Sequence, residues 1–354
     1  SIYSYFYKNK NYKFNDFTNA LTKAYEIQGS LCLGTSLNKL GYDHVFYVKL
    51  ASGSVFSYLI NNGDTNAIRR TVNNILLDGP SLRAYRHFPN VGKRKSWAAA
   101  DASKRGIELA IISSYKDEIY ESAQKENKWG FESSFLDNSK IEFGKDLNNW
   151  VIQNILFKVL FPAEFHGQSA VEAAIELSEE FNKNINKFEK VNIYTHEPAI
   201  RIISNKEVLK NASDRDHSME YMVAAALLYG ELKYEMYEES FEGFENINNL
   251  RKKIFVSEQP QFTKDYYEFS KRYISNSIEI VYNDNSTSEK ITIENPIGHP
   301  SRREEAIPLL KDKFLRNVES LFNTEKAIEI WDKIINLEKD DDLNKFFNIL
   351  NEDE

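Results

Sequence analysis

The spacing of apolar residues changes twice along this 354-residue chain, and these changes constrain its fold more than any single motif does. Apolar residues keep a helical spacing through the first 160 residues, as in 14–29, and again from Arg303 to the acidic tail. Between these stretches, 191–196 alternates like a strand, and 278–296 is typical of two short strands around a polar turn. The sequence therefore predicts a mainly α protein with an inserted α+β domain: a helical domain over 1–160, an α+β domain over 161–298, and a return to the helical domain over 299–354.

Turn and cap residues predict where individual helices begin and end. Asn15 or Asp16 is expected to cap the 14–29 helix, and Gly29 is expected to close it. Four further helices are predicted: a buried one over 45–61, one that ends at Gly79, one that starts at a Ser96 cap, and one capped near Asp214 or Asp216 and stopped by Gly230.

A strongly basic run leads into the Ser96 helix. Residues 83–97, RAYRHFPNVGKRKSW, hold five cations and one histidine but no acid, in a chain with 53 Asp+Glu against 45 Lys+Arg. A helix N-terminus already carries about half a positive charge, so each added cation there is unfavourable by roughly 0.3–1 kcal/mol. An anion held among the cations would remove that penalty. The run therefore predicts a bound anion.

Composition and missing motifs argue against several classes of protein. The net charge of −8 disfavours nucleic acid as a general partner, and no run approaches the ~20 apolar residues that a membrane span needs. The single cysteine, Cys32, cannot form an internal disulfide or hold a zinc or iron–sulfur site by itself. The motifs HExxH, CxxC, GxGxxG, GxxxxGK(S/T) and GxSxG do not occur. We therefore expect no metal, no cofactor, no nucleic-acid partner and no membrane partner.

Candidate acid–base groups lie where loops lead into helices. The six histidines are His44, His87, His166, His196, His217 and His299. A helix N-terminus lowers the pKa of an imidazole and keeps it suited to proton transfer, although each ring could equally cap the helix or pack against it.

Tyr221 lies one helical turn after His217 on the same face, and could equally be a core residue. Lys158, Arg302 and Arg303 are either surface charges or parts of an anion clamp. Together these groups suit cofactor-free acid–base chemistry on a small polycarboxylate, because cations stabilise the charge that develops on its oxygens.

Four long segments carry a family resemblance. They are DGPSLRAYRHFPNVGKRKSWAAADASKRG, FPAEFHGQSAVEAA, SDRDHSMEYMVAAALLYG and IGHPSRREEAIPLLKDKF, and shorter matches extend it over essentially the whole chain. In these segments the sequence closely resembles the MmgE/PrpD family, in the branch that dehydrates 2-methylcitrate. The resemblance implies a large helical domain interrupted by a smaller α+β domain, and a homodimer. It also implies a metal-free, cofactor-free elimination of water from the tricarboxylate 2-methylcitrate, giving 2-methyl-cis-aconitate in the propionate-degrading methylcitrate cycle.

The resemblance implies roles for individual residues as well. Lys95, His44 and Tyr221 match pocket residues of the related cis-aconitate decarboxylases, and these three are the catalytic candidates. The substrate-binding candidates are Arg83, Arg86, Arg94, Lys158, His166 and His217. Which group is the acid and which is the base stays open.

One part of the family pattern has no match in this sequence. The family pattern begins earlier, with an HPSDN-like segment whose aspartate and histidine line the pocket. We therefore expect the chain to be N-terminally incomplete and poorly active by itself. The alternatives are a related aconitate- or citrate-type dehydratase, isomerase or decarboxylase of the same fold, and an inactive anion-binding fragment. The expected compartment is the cytoplasm, or the mitochondrial matrix if the source is eukaryotic.

Overall fold

A computed structural model describes residues 11–87, 89–115, 118–319 and 321–351 of the chain. The chain folds into two compact units. The first consists of residues up to Ile155 together with Phe314 onward, and the second consists of Leu156–Lys313. The sequence places the domain boundaries after residues 160 and 298, and those boundaries stay predictions.

Helices dominate the described residues, which confirms the predicted mainly α fold. The chain begins with α1 (Phe14–Gly34), α2 (Val45–Ile60), α3 (Thr65–Asp78), α4 (Arg94–Ser113), α5 (Phe131–Phe135) and α6 (Trp150–Gln153). It continues with α7 (Gln168–Lys183), α8 (Glu197–Ile203), α9 (Ala212–Arg215), α10 (Met219–Tyr229), α11 (Phe244–Arg251) and α12 (Pro260–Tyr267). The last helices are α13 (Arg303–Val318), α14 (Thr324–Ile335) and α15 (Leu343–Asn351). The strands are β1 (Phe188–Thr195), β2 (Ile254–Glu258), β3 (Asn276–Tyr282) and β4 (Ile291–Ile293). Of the described helices, none is both long enough and apolar enough to cross a membrane.

The core of the first unit forms where α2 packs against α4. The buried helix predicted over 45–61 is confirmed as α2, and its Phe46 stacks on Phe131 with ring centroids 5.0 Å apart. Gly53 and Gly106 let the two helices approach closely, since a Cβ on Gly106 would lie 2.3 Å from the carbonyl oxygen of Lys49. Only glycine fits at this crossing without a shift of the backbone.

The predicted start of α1 at residue 14 is confirmed, but its predicted cap and its predicted end are wrong. The helix begins at Phe14, and Asp16 lies inside its first turn, where its carboxylate accepts the backbone N–H of Lys13 at 2.8 Å. The helix also runs through Gly29 without ending. A Cβ at Gly29 would lie 2.4 Å from a methyl carbon of Val151, so this glycine allows close packing in the middle of a helix.

Two other predicted caps are also wrong. Ser96 lies inside the first turn of α4, which begins before it. Neither Asp214 nor Asp216 caps α10; instead Ser218 does so, and its hydroxyl accepts the N–H of Tyr221 at 3.3 Å. Several polar residues that can cap stand near each helix start, so sequence alone does not choose among them.

The other two predicted glycine stops are confirmed. Gly79 follows α3 with φ +65°, and Gly230 follows α10 with φ +66°. Residues other than glycine rarely adopt positive φ, so glycine at such a position is a reliable helix-end signal.

The second unit is built on a four-stranded sheet in the order β2-β1-β3-β4. β1 pairs with β2 in parallel and with β3 antiparallel, and β3 pairs with β4 antiparallel. α7 and α10 pack against each other, and α10 is fully buried from Met219 to Leu227. The strands predicted at 191–196 and 278–296 are confirmed as β1 and the β3–β4 pair. β2 was not predicted, because Ile254 is its one buried residue and the edge strand shows little alternation.

Candidate functional site

Five side chains of the first unit meet at the start of α2, and we call them the His44 cluster: Asp43, His44, Arg83, Tyr85 and Arg86. Asp43 is the fully buried member. Its carboxylate accepts the N–H of Val45 at 3.1 Å, Nε of Arg86 at 2.7 Å, and the hydroxyl of Tyr85. Burial acts to raise the pKa of Asp43, but these hydrogen bonds and the Arg86 charge together hold that pKa below its usual value. Asp43 is therefore ionised, and it ties the basic run to the start of α2.

His44 is the member of the cluster suited to proton transfer. Its side chain is 41% exposed, and its Nδ1 lies 3.4 Å from the Asp43 carboxylate. The same nitrogen lies 3.4 Å from the guanidinium of Arg83. Burial lowers the pKa of His44, Asp43 opposes that shift, and the charges of Arg86 and Arg83 add to it. The ring is therefore neutral at pH 7 and able to accept a proton.

Internal carboxylates balance part of the basic run. Arg86 pairs with Asp43, and Arg94 lies 3.8 Å from the carboxylate of Asp101. Arg94 also stacks over the ring of Trp97, at 4.4 Å from its centroid. An external anion is therefore not required to balance these two arginines. The sequence could not show the pair of Arg86 and Asp43, because Asp43 is far from the run along the chain.

Two further predicted residues of the run have different surroundings. The Arg83 guanidinium donates to Oδ1 of Asn38 at 2.8 Å and to Nε2 of His87 at 3.0 Å. Lys95 lies in the first turn of α4, with a partly buried side chain. Beside the same helix start is a cavity of about 220 Å³, whose charged lining residues are Lys49, Asp78, Arg94, Asp101 and Arg105.

A second polar group lies in the second unit, and we call it the His166 cluster: His166, His196, His217 and Tyr266. His166 lies in the 3₁₀ turn before α7, and its Nδ1 is 2.8 Å from Nε2 of His196. His196 is fully buried at the start of α8, and the Tyr266 ring stacks on it at 4.8 Å with planes 12° apart. Nδ1 of His217 lies 2.5 Å from the carboxylate of Asp216.

Burial keeps the two bonded histidines neutral. It lowers the pKa of His166, and the charges of Arg201 and His217 lower it further against the opposing charge of Glu164. Burial also lowers the pKa of His196 to about 3, with His166 adding to the shift. Two neutral imidazoles in contact can hold a defined arrangement of protons.

Tyr221 and Lys158 lie in contrasting surroundings within the same unit. Tyr221 is fully buried, and its hydroxyl donates to the carbonyl oxygen of Met236 at 2.6 Å. Burial raises the pKa of Tyr221 to about 12. Lys158 is exposed, and its backbone carbonyl accepts a hydrogen bond from the ammonium group of Lys313. The catalytic role of Tyr221 and the substrate-binding role of Lys158 stay predictions.

The structure groups the predicted residues within each unit. In the first unit, His44 lies with Arg83 and Arg86. In the second unit, the charge of His217 contributes to the lowered pKa of His166. Sequence reasoning missed Asp43, although an acid directly before an apolar helix start was a usable signal. It also gave no role to Tyr266 and none specific to His196, because their contacts join distant parts of the chain.

Among the described residues, no group of three or more histidine, cysteine, aspartate or glutamate side chains is placed to hold a metal ion.

Comparison with known proteins gives matches in both units. Residues 7–144 match the model of the MmgE/PrpD N-terminal domain, and residues 161–338 match that of the MmgE/PrpD C-terminal domain. The chain is 43% identical over 314 residues to 2-methylcitrate dehydratase of Escherichia coli K12, covering 88% of this chain and 65% of that protein. It is 37% identical over 316 residues to the mitochondrial 2-methylcitrate dehydratase of Yarrowia lipolytica, covering 88% of this chain and 61% of that protein. It is 36% identical over 346 residues to the probable 2-methylcitrate dehydratase of Saccharomyces cerevisiae, covering 96% of this chain and 66% of that protein. The chain thus spans slightly less than two thirds of the length of these relatives.

Proposed function

The chain belongs to the MmgE/PrpD family, and from this premise we propose that it takes part in the dehydration of 2-methylcitrate. In this reaction the carbon that bears the methyl group loses a proton, and the neighbouring carbon loses its hydroxyl group as water. A carbon–carbon double bond forms, and the product is 2-methyl-cis-aconitate. Similarity to a curated 2-methylcitrate dehydratase over 88% of this chain carries the proposal.

We assign charge stabilisation to the basic residues of the first unit. Removing a proton next to a carboxylate moves negative charge onto its oxygens, and preplaced cations stabilise that charge in the transition state. In our proposal Lys95 stabilises this charge, and Arg83, Arg86 and Arg94 bind the carboxylates of the substrate. The neutral ring of His44, with its lowered pKa, suits it to proton transfer beside these cations.

We assign substrate contacts and a further proton-transfer group to the second unit. The departing hydroxide needs an acid, and a candidate must be able to reach it while protonated. Tyr221 keeps its proton because burial raises its pKa to about 12. His166, His217 and Lys158 remain the proposed substrate-binding residues here.

The experiment is a product assay on the 354-residue chain, and on the longer product if the coding sequence continues in frame upstream of Ser1. Each protein is incubated with 2-methylcitrate, citrate or cis-aconitate, and proton NMR follows the products. Dehydration of 2-methylcitrate converts the methyl doublet to a singlet, because the methyl carbon loses its neighbouring C–H. Loss of CO₂ from cis-aconitate would instead indicate a decarboxylase, and conversion between isomers would indicate an isomerase. Binding of these acids without any turnover would leave only an anion-binding role.

We also propose that the protein is a homodimer in the cytoplasm, with the mitochondrial matrix as the alternative. A relative from Yarrowia lipolytica, at 37% identity, is named as mitochondrial, which supports that alternative. Light scattering during gel filtration should give twice the 41.2 kDa of the chain, and the monomer mass would refute the dimer. Fluorescence microscopy of a C-terminal fusion in the source cell decides the compartment.

A further inference from the structure

Arg272 of the second unit has a backbone conformation that is uncommon for an arginine. Its φ is +51°, in the left-handed region that residues other than glycine rarely adopt. Within the described part of the chain, every other non-glycine residue with positive φ is an asparagine or an aspartate, and these two types tolerate the region best. Arginine therefore carries a backbone strain here that glycine would avoid, and this strain points to a role for its side chain.

The guanidinium of Arg272 has no anionic partner among the residues that the structure describes. Its Nε is shielded from water and makes no hydrogen bond there. The group lies over the ring of Phe269, 4.9 Å from the centroid, but this contact supplies no oxygen acceptor for the N–H groups. Arg201 of the same unit, by contrast, pairs with Glu197 at 2.8 Å. A shielded N–H without an acceptor is unfavourable, and a bound anion would supply that acceptor.

Arg272 lies beside the His166 cluster. The backbone N–H of the next residue, Tyr273, donates to the carbonyl oxygen of Asp265 at 3.4 Å, which holds this segment against the end of α12. The residue after Asp265 is Tyr266, whose ring stacks on His196 at 4.8 Å. Burial raises the pKa of Tyr266, and the charge of Arg272 opposes that rise. The Arg272 charge thus acts on the part of the second unit to which we assign substrate contacts.

We propose that the guanidinium of Arg272 binds one carboxylate of the 2-methylcitrate substrate beside the His166 cluster. The proposal rests on the proposed dehydration, which supplies a tricarboxylate as the ligand. A guanidinium can donate two parallel N–H···O bonds to one carboxylate, and an edge that includes Nε can take part in such a pair. This contact would give the shielded Nε–H its acceptor and would explain why arginine is kept at a strained position. Arg272 makes and breaks no bond of the substrate, so it is a binding residue and not a catalytic one.

The test observes the Nε–H group of Arg272 directly, by proton–nitrogen NMR of protein labelled with ¹⁵N-arginine, in each form used for the product assay. The probe is tricarballylate, which has three carboxylates but no hydroxyl group to lose, so binding is measured without turnover. The signal that disappears in Arg272→Gly belongs to Arg272. Tricarballylate should shift this signal until it saturates, and sodium chloride at equal ionic strength should leave it in place. The absence of a shift in every form, or the same shift with sodium chloride, overturns the proposal.

Isothermal titration calorimetry with tricarballylate then measures what the side chain contributes. Arg272→Gly should weaken binding by about 10–100-fold, the size expected for charge-assisted hydrogen bonds to a carboxylate. Its Tm should equal or exceed that of wild type, because glycine adopts a φ of +51° without strain. The matched control is Lys271→Ala, which removes a cation at the adjacent position, where the ammonium group already pairs with Asp265 at 2.6 Å. The control should bind within about twofold of wild type. Wild-type affinity in Arg272→Gly together with a lower Tm would show that Arg272 is only structural, and would overturn the proposal.

Steady-state kinetics separate this proposal from the proposed function. In a form that dehydrates 2-methylcitrate, Arg272→Gly should raise KM by about the factor found by calorimetry and change kcat less, since the contact is already present in the ground state. An unchanged KM overturns the role of Arg272 and leaves the proposed function intact. If the Arg272 signal shifts as expected but no form of the protein dehydrates 2-methylcitrate, the proposed function fails, and Arg272 remains a carboxylate-binding residue.

Discussion

Replacing Asp43 by asparagine removes the charge at the centre of the His44 cluster while keeping the shape of the side chain. The asparagine oxygen can still accept the N–H of Val45, but its NH₂ group would face the donors of Tyr85 and Arg86. Removing one partner of a buried ion pair costs about 3–5 kcal/mol. The Arg86 side chain is 15% exposed, so water partly solvates its charge, and we expect a loss of about 2–4 kcal/mol.

Tryptophan fluorescence during urea unfolding measures this loss in the unit concerned. The chain has four tryptophans, and all of them belong to the first unit: Trp97, Trp129, Trp150 and Trp331. The fluorescence transition therefore reports the unit that contains Asp43. With an unfolding slope of about 2–3 kcal/mol per molar urea, the midpoint should fall by about 1 M.

A matched acid on the surface provides the control for Asp43. Asp101 is 57% exposed and lies 3.8 Å from Arg94, and such a pair contributes about 0–0.5 kcal/mol. If Asp43→Asn lowers the midpoint no more than Asp101→Asn does, the reasoning about the buried carboxylate is wrong. Adding Arg86→Met to the Asp43→Asn variant should restore at least half of the loss, because no buried charge is then left unmatched.

The same carboxylate predicts a pH dependence with a definite sign. The pKa of Asp43 in the folded protein lies below its unfolded value of about 3.9. Its stabilisation is therefore fully present above about pH 4 and is lost as the pH falls through the folded pKa. As the pH falls below about 4, the urea midpoint of the wild type should fall more steeply than that of Asp43→Asn. Equal slopes would show that Asp43 is not the group responsible.

Three further predictions concern activity and packing. Lys95→Ala should lower kcat by at least about 10²-fold if Lys95 stabilises the transition state, whereas Lys104→Ala, at an exposed position of the same helix, should leave kcat unchanged in the product assay. Gly106→Ala should destabilise the first unit by about 1–2 kcal/mol by urea unfolding, since the clash at the helix crossing exceeds the gain in helix propensity. Gly92→Ala is its control, because the nearest atom lies 3.9 Å away and the expected change is within about 0.5 kcal/mol. Tyr221→Phe should cost about 1–2 kcal/mol in thermal unfolding followed by near-ultraviolet circular dichroism, for the lost hydrogen bond to a backbone carbonyl. If the folded Tyr221→Phe variant also turns over at least about a hundred times more slowly than wild type, that loss would support a part for Tyr221 in proton transfer.

The sequence predicted the fold where one local pattern decides the structure. The apolar run of α2 and the positive φ at Gly230 follow from local chemistry, and both predictions are confirmed. Prediction failed where a contact far along the chain decides the structure. Gly29 has the local pattern of a helix end, but it serves the contact with Val151 in another helix. The pairing of Asp43 with Arg86 was missed for the same reason. The sequence analysis therefore overestimated the unbalanced positive charge of the basic run.

The contact between His166 and His196 shows how a distant pair could have been predicted from element lengths. α7 has 16 residues and is therefore about 24 Å long at about 1.5 Å per residue. β1 has 8 residues and is about 26 Å long at about 3.3 Å per residue, and only the short segment 184–187 separates it from α7. The strand runs back along nearly the full length of the helix, so its end returns to the level of the helix start. His166 lies just before α7 and His196 just after β1, which is why two residues 30 positions apart meet at 2.8 Å. Changing the length of either element by one residue without changing the other should separate the two rings, and a change in the ¹⁵N chemical shifts of the His166 ring, measured by NMR of the chain labelled with ¹⁵N-histidine, would reveal it.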